Sequence, residues 1–147
     1  MKRYLNFPLA IIILIGVVAI SAQAQSSSNT QRLIAKIPFA FTVGHKTLPA
    51  GRYTITVLNP SSDRKTLQVR SMDGHSSAIV LTIAANATAT DNAKLVFDCY
   101  GDHYYFAQAQ MAGDSTTLAA VRSKAEHAER LALAKVIRKS VVVIVAG

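Results

Sequence analysis

A single cysteine, Cys99, in 147 residues rules out two classes of small protein. A disulfide scaffold needs paired thiols, and every multi-cysteine metal site needs more than one. Charge is scarce as well: 16% of residues are Asp, Glu, Lys or Arg, and eight of these are acids. A disordered tail is excluded by the opposite excess, because half the chain is hydrophobic and the mean hydropathy is +0.26. There is no nucleophile elbow, phosphate-cradling loop or dinucleotide fingerprint. The four histidines, His45, His75, His103 and His127, show neither helical ligand spacing nor a His-x-His pair. No metal and no cofactor is therefore expected.

What is present starts with a leader-like segment. Met1-Lys2-Arg3 is basic, Phe7 to Ile20 is a 14-residue uncharged stretch, and Ser21-Ala22-Gln23-Ala24 ends in small residues. This is the three-part layout of a secretory signal peptide, with cleavage expected between Ala24 and Gln25. At about 1.5 Å per residue the stretch reaches roughly 21 Å, short of an about 30 Å hydrocarbon core. An uncleaved membrane anchor is the alternative. Loss of residues 1–24 removes Lys2 and Arg3 and no acid, so the net charge of +8 becomes +6. Residues 25–31 read as a flexible lead into a single domain over 32–147. The destination is the periplasm or the exterior, with no membrane span in the processed chain.

The rest alternates with period two. Leu33, Ala35, Ile37, Phe39, Phe41 and Val43 share one face of a predicted long strand, with Pro38 demanding an edge or bulge. Arg52 to Leu58, Thr66 to Met72, Ser77 to Ala84, Lys94 to Tyr100 and His103 to Met111 follow as strands. Asp73-Gly74 signals a type I′ hairpin, and Gly101-Asp102 forms another turn. Ser77 to Ala84 is apolar on both faces and is expected to be central. In His103 to Met111, strict alternation places Tyr104 and Phe106 on the outer face. Ser123-Lys124-Ala125-Glu126 fits a capping box opening a helix to about Lys139, and Glu126 and Arg130 make a favourable i,i+4 pair. Val141 to Val145 is a closing strand. The expected fold is all-β: an antiparallel sandwich or partly closed barrel of about seven strands, with one C-terminal helix before the last strand.

Ile37-Pro38-Phe39-Ala40-Phe41-Thr42-Val43-Gly44 and Lys46-Thr47-Leu48-Pro49-Ala50-Gly51-Arg52-Tyr53-Thr54 resemble the opening of a family of small secreted proteins abundant in acidobacteria. Leu95-Val96-Phe97, Tyr100-Gly101-Asp102, Tyr104-Tyr105-Phe106 and Ser123-Lys124-Ala125-Glu126 follow in the same order. The resemblance spans nearly the whole processed chain and implies a secreted β domain with no assigned activity. Asp98-Cys99 departs from it, because relatives look more basic there.

Three groups of residues are candidates for function. Asp98, Asp102 and His103 form the one local acid/base cluster, which a small hydrolase would need in a pocket with shifted pKa values. Tyr100, Tyr104 and Phe106 form an outer aromatic set, expected to pack beneath the helix rather than to bind sugar or protein. Arg122, Lys124, Arg130, Lys135, Arg138 and Lys139 place +4 of the +6 charge in the helix. Such a helix suits anionic lipid headgroups, acidic polysaccharide or an acidic envelope protein. Nucleic acid is excluded by export and by the lack of interleaved aromatics. Taken together these features point to a non-catalytic binding or accessory module at the cell envelope. A hydrolase, or a peripheral membrane binder acting through the helix, is the alternative.

Overall fold

The period-two pattern that opens the domain folds as two strands rather than one. In a computed structural model the chain is described over residues 31–133 and 139–145, so the leader, residues 25–30, Lys135 and Arg138 lie outside the described residues. β1 (Arg32–Ile37) ends where Pro38 offers no N–H, and the chain crosses the domain to form β2 (Phe41–Val43). Burial keeps its parity through the break, with Leu33, Ala35, Ile37, Phe41 and Val43 all buried and Phe39 packed against them. Two further elements were not foreseen: β3 (Lys46–Leu48) and β9 (Thr116–Ala120). Both are short and carry few apolar residues at alternating positions. The others are β4 (Gly51–Val57), β5 (Arg64–Ser71), β6 (Ser77–Asn86), β7 (Ala93–Tyr100), β8 (His103–Gln110), helix α1 (Lys124–Ala132) and β10 (Lys139–Val145). Among the described residues ten strands therefore stand where about seven are expected.

They form one curled sheet in the order β1-β4-β5-β6-β9-β8-β2-β3, with β7 on the other edge of β8 and β10 beyond it. The pairing is antiparallel except where β2 meets β8 at Thr42 and Tyr105. The curl brings β10 back beside β1. No ladder joins those two strands, so the sheet stays open. The architecture is the all-β, sandwich-like class expected, with one helix before the last strand.

Three local readings need correction. β8 does not alternate strictly: Val96 pairs with Gln108 and Phe97 with Phe106, which leaves Ala107 as an extra residue. One inserted residue reverses the parity of what precedes it. Tyr104 and Phe106 therefore face the core, and Tyr105 faces out. The turn after β5 is not type I′, because no described non-glycine residue has positive φ; Gly74, at φ 77°, follows a turn closed by its own N–H to the Ser71 carbonyl. The helix stops at Ala132 with Leu133 as C-cap, and Lys139 already belongs to β10, paired with Cys99. The β-branched run from Val141 draws that residue into the sheet.

The core centres on Phe97. Its ring meets Phe39 at 5.2 Å, Phe41 at 5.3 Å and Phe106 at 5.8 Å, all edge-to-face. Phe41 continues to Tyr53 at 5.1 Å, whose buried hydroxyl donates to the Pro49 carbonyl at 2.6 Å. Because one side chain joins three strands and the segment at Phe39, Phe97→Ala is expected to cost about 3–5 kcal/mol in urea unfolding. A loss below about 1 kcal/mol would show that the core does not depend on it.

Candidate functional site

The outer face of β7 and β8 collects most of the chain's chemistry. Asp98, Tyr100, His103 and Tyr105 share that face, with Asp98 opposite Tyr105 and Tyr100 opposite His103. Helix α1 lies over them. Ser123 caps it, its hydroxyl accepting the Glu126 N–H at 3.1 Å. The helix docks along Ser123, Glu126, Glu129 and Leu133, while Leu131 stays exposed. These positions recur every three or four residues, so the stripe obeys helical geometry. It is acidic rather than apolar.

Each carboxylate has a partner. Asp98 is 1% exposed and faces Arg122, with Oδ2 3.8 Å from the guanidinium. The same guanidinium lies 3.6 Å from Oε1 of Glu126, itself 5% exposed. Arg122 therefore stands between two buried carboxylates on different elements. Further along, Glu129 accepts a hydrogen bond from the Tyr105 hydroxyl and pairs with the His103 ring. Burial raises the Glu129 pKa, but the Tyr105 and His103 contacts outweigh it and hold the group below the usual 4.5. Burial, and then the bond to Glu129, push the Tyr105 phenol well above its ordinary 10.0.

The three sequence-chosen acid/base residues are not brought to one point. Asp98 is closed beneath α1 and held by Arg122, the His103 ring turns to Glu129, and Asp102 is exposed in the turn. Cavities of about 750 Å³ and 660 Å³ lie elsewhere, the first beside β1 and Val145, the second over β4 and β5, and none of the three residues lines them. Of the aromatic set, Tyr100 packs under the helix, where its ring meets Tyr105 at 5.8 Å. Phe106 is in the core, and Tyr104 stacks on Phe39 at 4.0 Å. Of the basic set, Arg122 is paired, Lys124 and Arg130 are exposed on α1, and Lys139 belongs to a strand.

Of the helix residues that matter here, Glu126 is read from the sequence only as part of a cap and as a partner of Arg130, and Glu129 is not singled out. Their i,i+3 spacing after Ser123 was the available signal. Cys99 is buried and donates to the Gly101 carbonyl at 3.1 Å. Among the described residues no three His, Cys, Asp or Glu side chains converge as a metal site would require, and no helix is long and apolar enough to cross a membrane. Compared with protein-family models, curated proteins and solved structures, the chain matches none.

Two outcomes follow from this cluster. Arg122→Met removes the cation between Asp98 and Glu126 and should cost about 1–3 kcal/mol. That is less than for a wholly buried pair, because the Arg122 side chain is 42% exposed. An unchanged urea midpoint would show that the pairs contribute nothing.

The pH dependence has two limbs. A depressed Glu129 pKa gives stabilisation that is complete above the ordinary 4.5 and lost as pH falls through the lower folded value. A raised Tyr105 pKa gives stabilisation that is complete below 10.0 and lost as pH rises through the higher folded value. Glu129→Gln should remove part of the acid limb of the urea midpoint against pH, and Tyr105→Phe part of the alkaline limb. Identical profiles in wild type and variants would refute the assignment.

Proposed function

We propose that this chain is an exported, non-catalytic binding or accessory module of the bacterial cell envelope. The observation that carries this reading is how its acid/base residues are used. Asp98 is closed under a helix and matched to Arg122, His103 is turned to Glu129, and Asp102 stands apart in a turn. A general acid or base has to reach substrate, and here Asp98 and His103 are taken up by Arg122 and Glu129 instead. The basic, apolar and small-residue order of residues 1–24 and the resemblance to secreted acidobacterial proteins support export.

The test has two arms. Mass spectrometry of the protein recovered from an exporting host should find Gln25 as the first residue, and a chain still starting at Met1 would replace export and cleavage with anchoring. Incubation with fractionated envelope should retain the protein equally well in wild type and in Asp102→Ala with His103→Ala. Substrate turnover by the wild type that these two substitutions abolish, with the fold intact, would overturn the non-catalytic reading.

A further inference from the structure

The half of the sheet that α1 leaves uncovered has a composition of its own. Outward positions on β1, β4 and β5 carry Arg32, Lys36, Arg52, Arg64 and Arg70, all exposed. Between them stand Thr54, Thr56, Thr66 and Gln68, and no outward strand position there is acidic. Among the described residues none of the five cations makes an ion pair. The acids around this face are in turns and loops: Asp63 before β5, Asp91 beside Arg32 and Arg52 in the cavity next to β1, and Asp73 after β5. The Asp73 carboxylate lines the groove with Arg32 and Arg70 and already accepts from the Ser71 hydroxyl and the His75 N–H.

β6 continues this face with a different chemistry. It is flanked by β5 and β9, so it is central as expected, yet the side chains it buries are Ala78, Val80 and Thr82. Its larger side chains point outward: Ile79 is 58% exposed, Leu81 55% and Ile83 59%. Val121, whose N–H donates to the Leu81 carbonyl, extends the apolar row sideways at 49% exposure. Alternate residues of a strand are about 6.6 Å apart, so the β6 stripe runs about 13 Å. The register ties the two chemistries together. Arg32, Thr56, Gln68 and Ile79 form one row across four strands, and Arg64 pairs directly with Ile83. A groove of about 660 Å³ sits in the basic half, with Arg32 and Arg70 on either side of Thr54 and Thr56.

We infer that this face docks on an anionic lipid bilayer, with the β6 stripe entering the interface and the arginines meeting lipid phosphates, the groove between Arg32 and Arg70 receiving one headgroup. The inference rests on the binding-module reading and names its partner. A second copy stacked through the same face would set five unpaired cations against five. A soluble polyanion would engage the arginines and leave the apolar stripe in water. A protein interface of useful affinity is built on aromatic or arginine anchors seated in pockets, and no aromatic residue lies on the outward positions of β1, β4, β5 or β6. A bilayer needs no fixed shape: it accepts aliphatic side chains in any pattern and brings mobile phosphates to each cation.

The test is co-sedimentation of the full chain, as processed by an exporting host. The vesicles are phosphatidylcholine alone, or equimolar phosphatidylcholine and phosphatidylglycerol. Binding is expected on the anionic vesicles only, and should weaken as salt shortens the Debye length. R32Q with R64Q and R70Q should lower the partition coefficient on the order of 100-fold, at about five-fold per basic residue. I79T with L81T and I83T should lower it by about 10-fold or more while keeping the wild-type melting temperature, because Thr suits an exposed strand position.

Equal binding to both vesicle types overturns the inference, as does loss through K124Q with R130Q while both sheet variants bind normally. A dimer that the β6 substitutions dissociate assigns the face to a second copy instead. Failure on vesicles, with retention by an envelope protein or polysaccharide that the same sheet substitutions abolish, removes the lipid and leaves the binding module. Retention by no envelope fraction removes both.

Discussion

A sheet curled over one core has a single dry face, and everything on its other face must be covered or must tolerate water. In this chain the dry face is settled by Phe97, whose three edge-to-face contacts draw β2, β7, β8 and the segment around Phe39 together. The outer face is settled twice, differently in each half. Over β7 and β8 the chain supplies its own cover, and polar groups there are matched to partners on α1 and to Arg122 just before its cap. Over β1, β4, β5 and β6 none of the described elements lies as a cover, and the surface is a mixture of large aliphatic side chains and cations that make no ion pair among the described residues. The contrast between these halves is the main functional content of the fold.

A helix held down by carboxylates is an unusual solution, and it has a definite character. Apolar docking would be indifferent to small shifts of register. Here Arg122 must lie between Asp98 and Glu126, and Glu129 must reach Tyr105 and His103, so both the azimuth and the axial position of α1 are specified. Taking such groups out of water costs several kcal/mol per ion, which their mutual attraction and hydrogen bonds offset only when the geometry is good. The arrangement therefore contributes positional definition more than stability. It also explains why Leu131 lies exposed: the helix has no apolar stripe to bury.

The fold was largely legible from residues alone because its inner face obeys period two. Leu33 through Val43, Tyr53 through Val57, and Leu67 with Val69 are buried where alternation puts them. Legibility failed where one residue broke the period. Ala107 adds a residue to β8, and parity on one side of it reverses, so Tyr104 and Phe106 exchange faces with Tyr105. For a different reason, which side of β6 faces the core was not legible. Both faces of that strand carry aliphatic residues, and composition does not tell which set the curl encloses. The site was less legible still. Asp98 and His103 are neighbours of one hairpin in the sequence reading as in the fold, but their partners, Arg122 before α1 and Glu129 on it, are more than twenty residues away in sequence, and spacing rules do not reach across such a gap.

The sole thiol has a use that its chemistry in the folded state conceals. Cys99 is buried at the end of β7, its Sγ on the Gly101 carbonyl and its backbone in register with both Tyr104 and Lys139. An alkylating reagent reaches it only when the end of the hairpin separates from its neighbours. With no second cysteine to capture it, the rate of labelling counts those openings directly. The chain thus contains a native, single-site clock for local unfolding at the very strand that α1 covers.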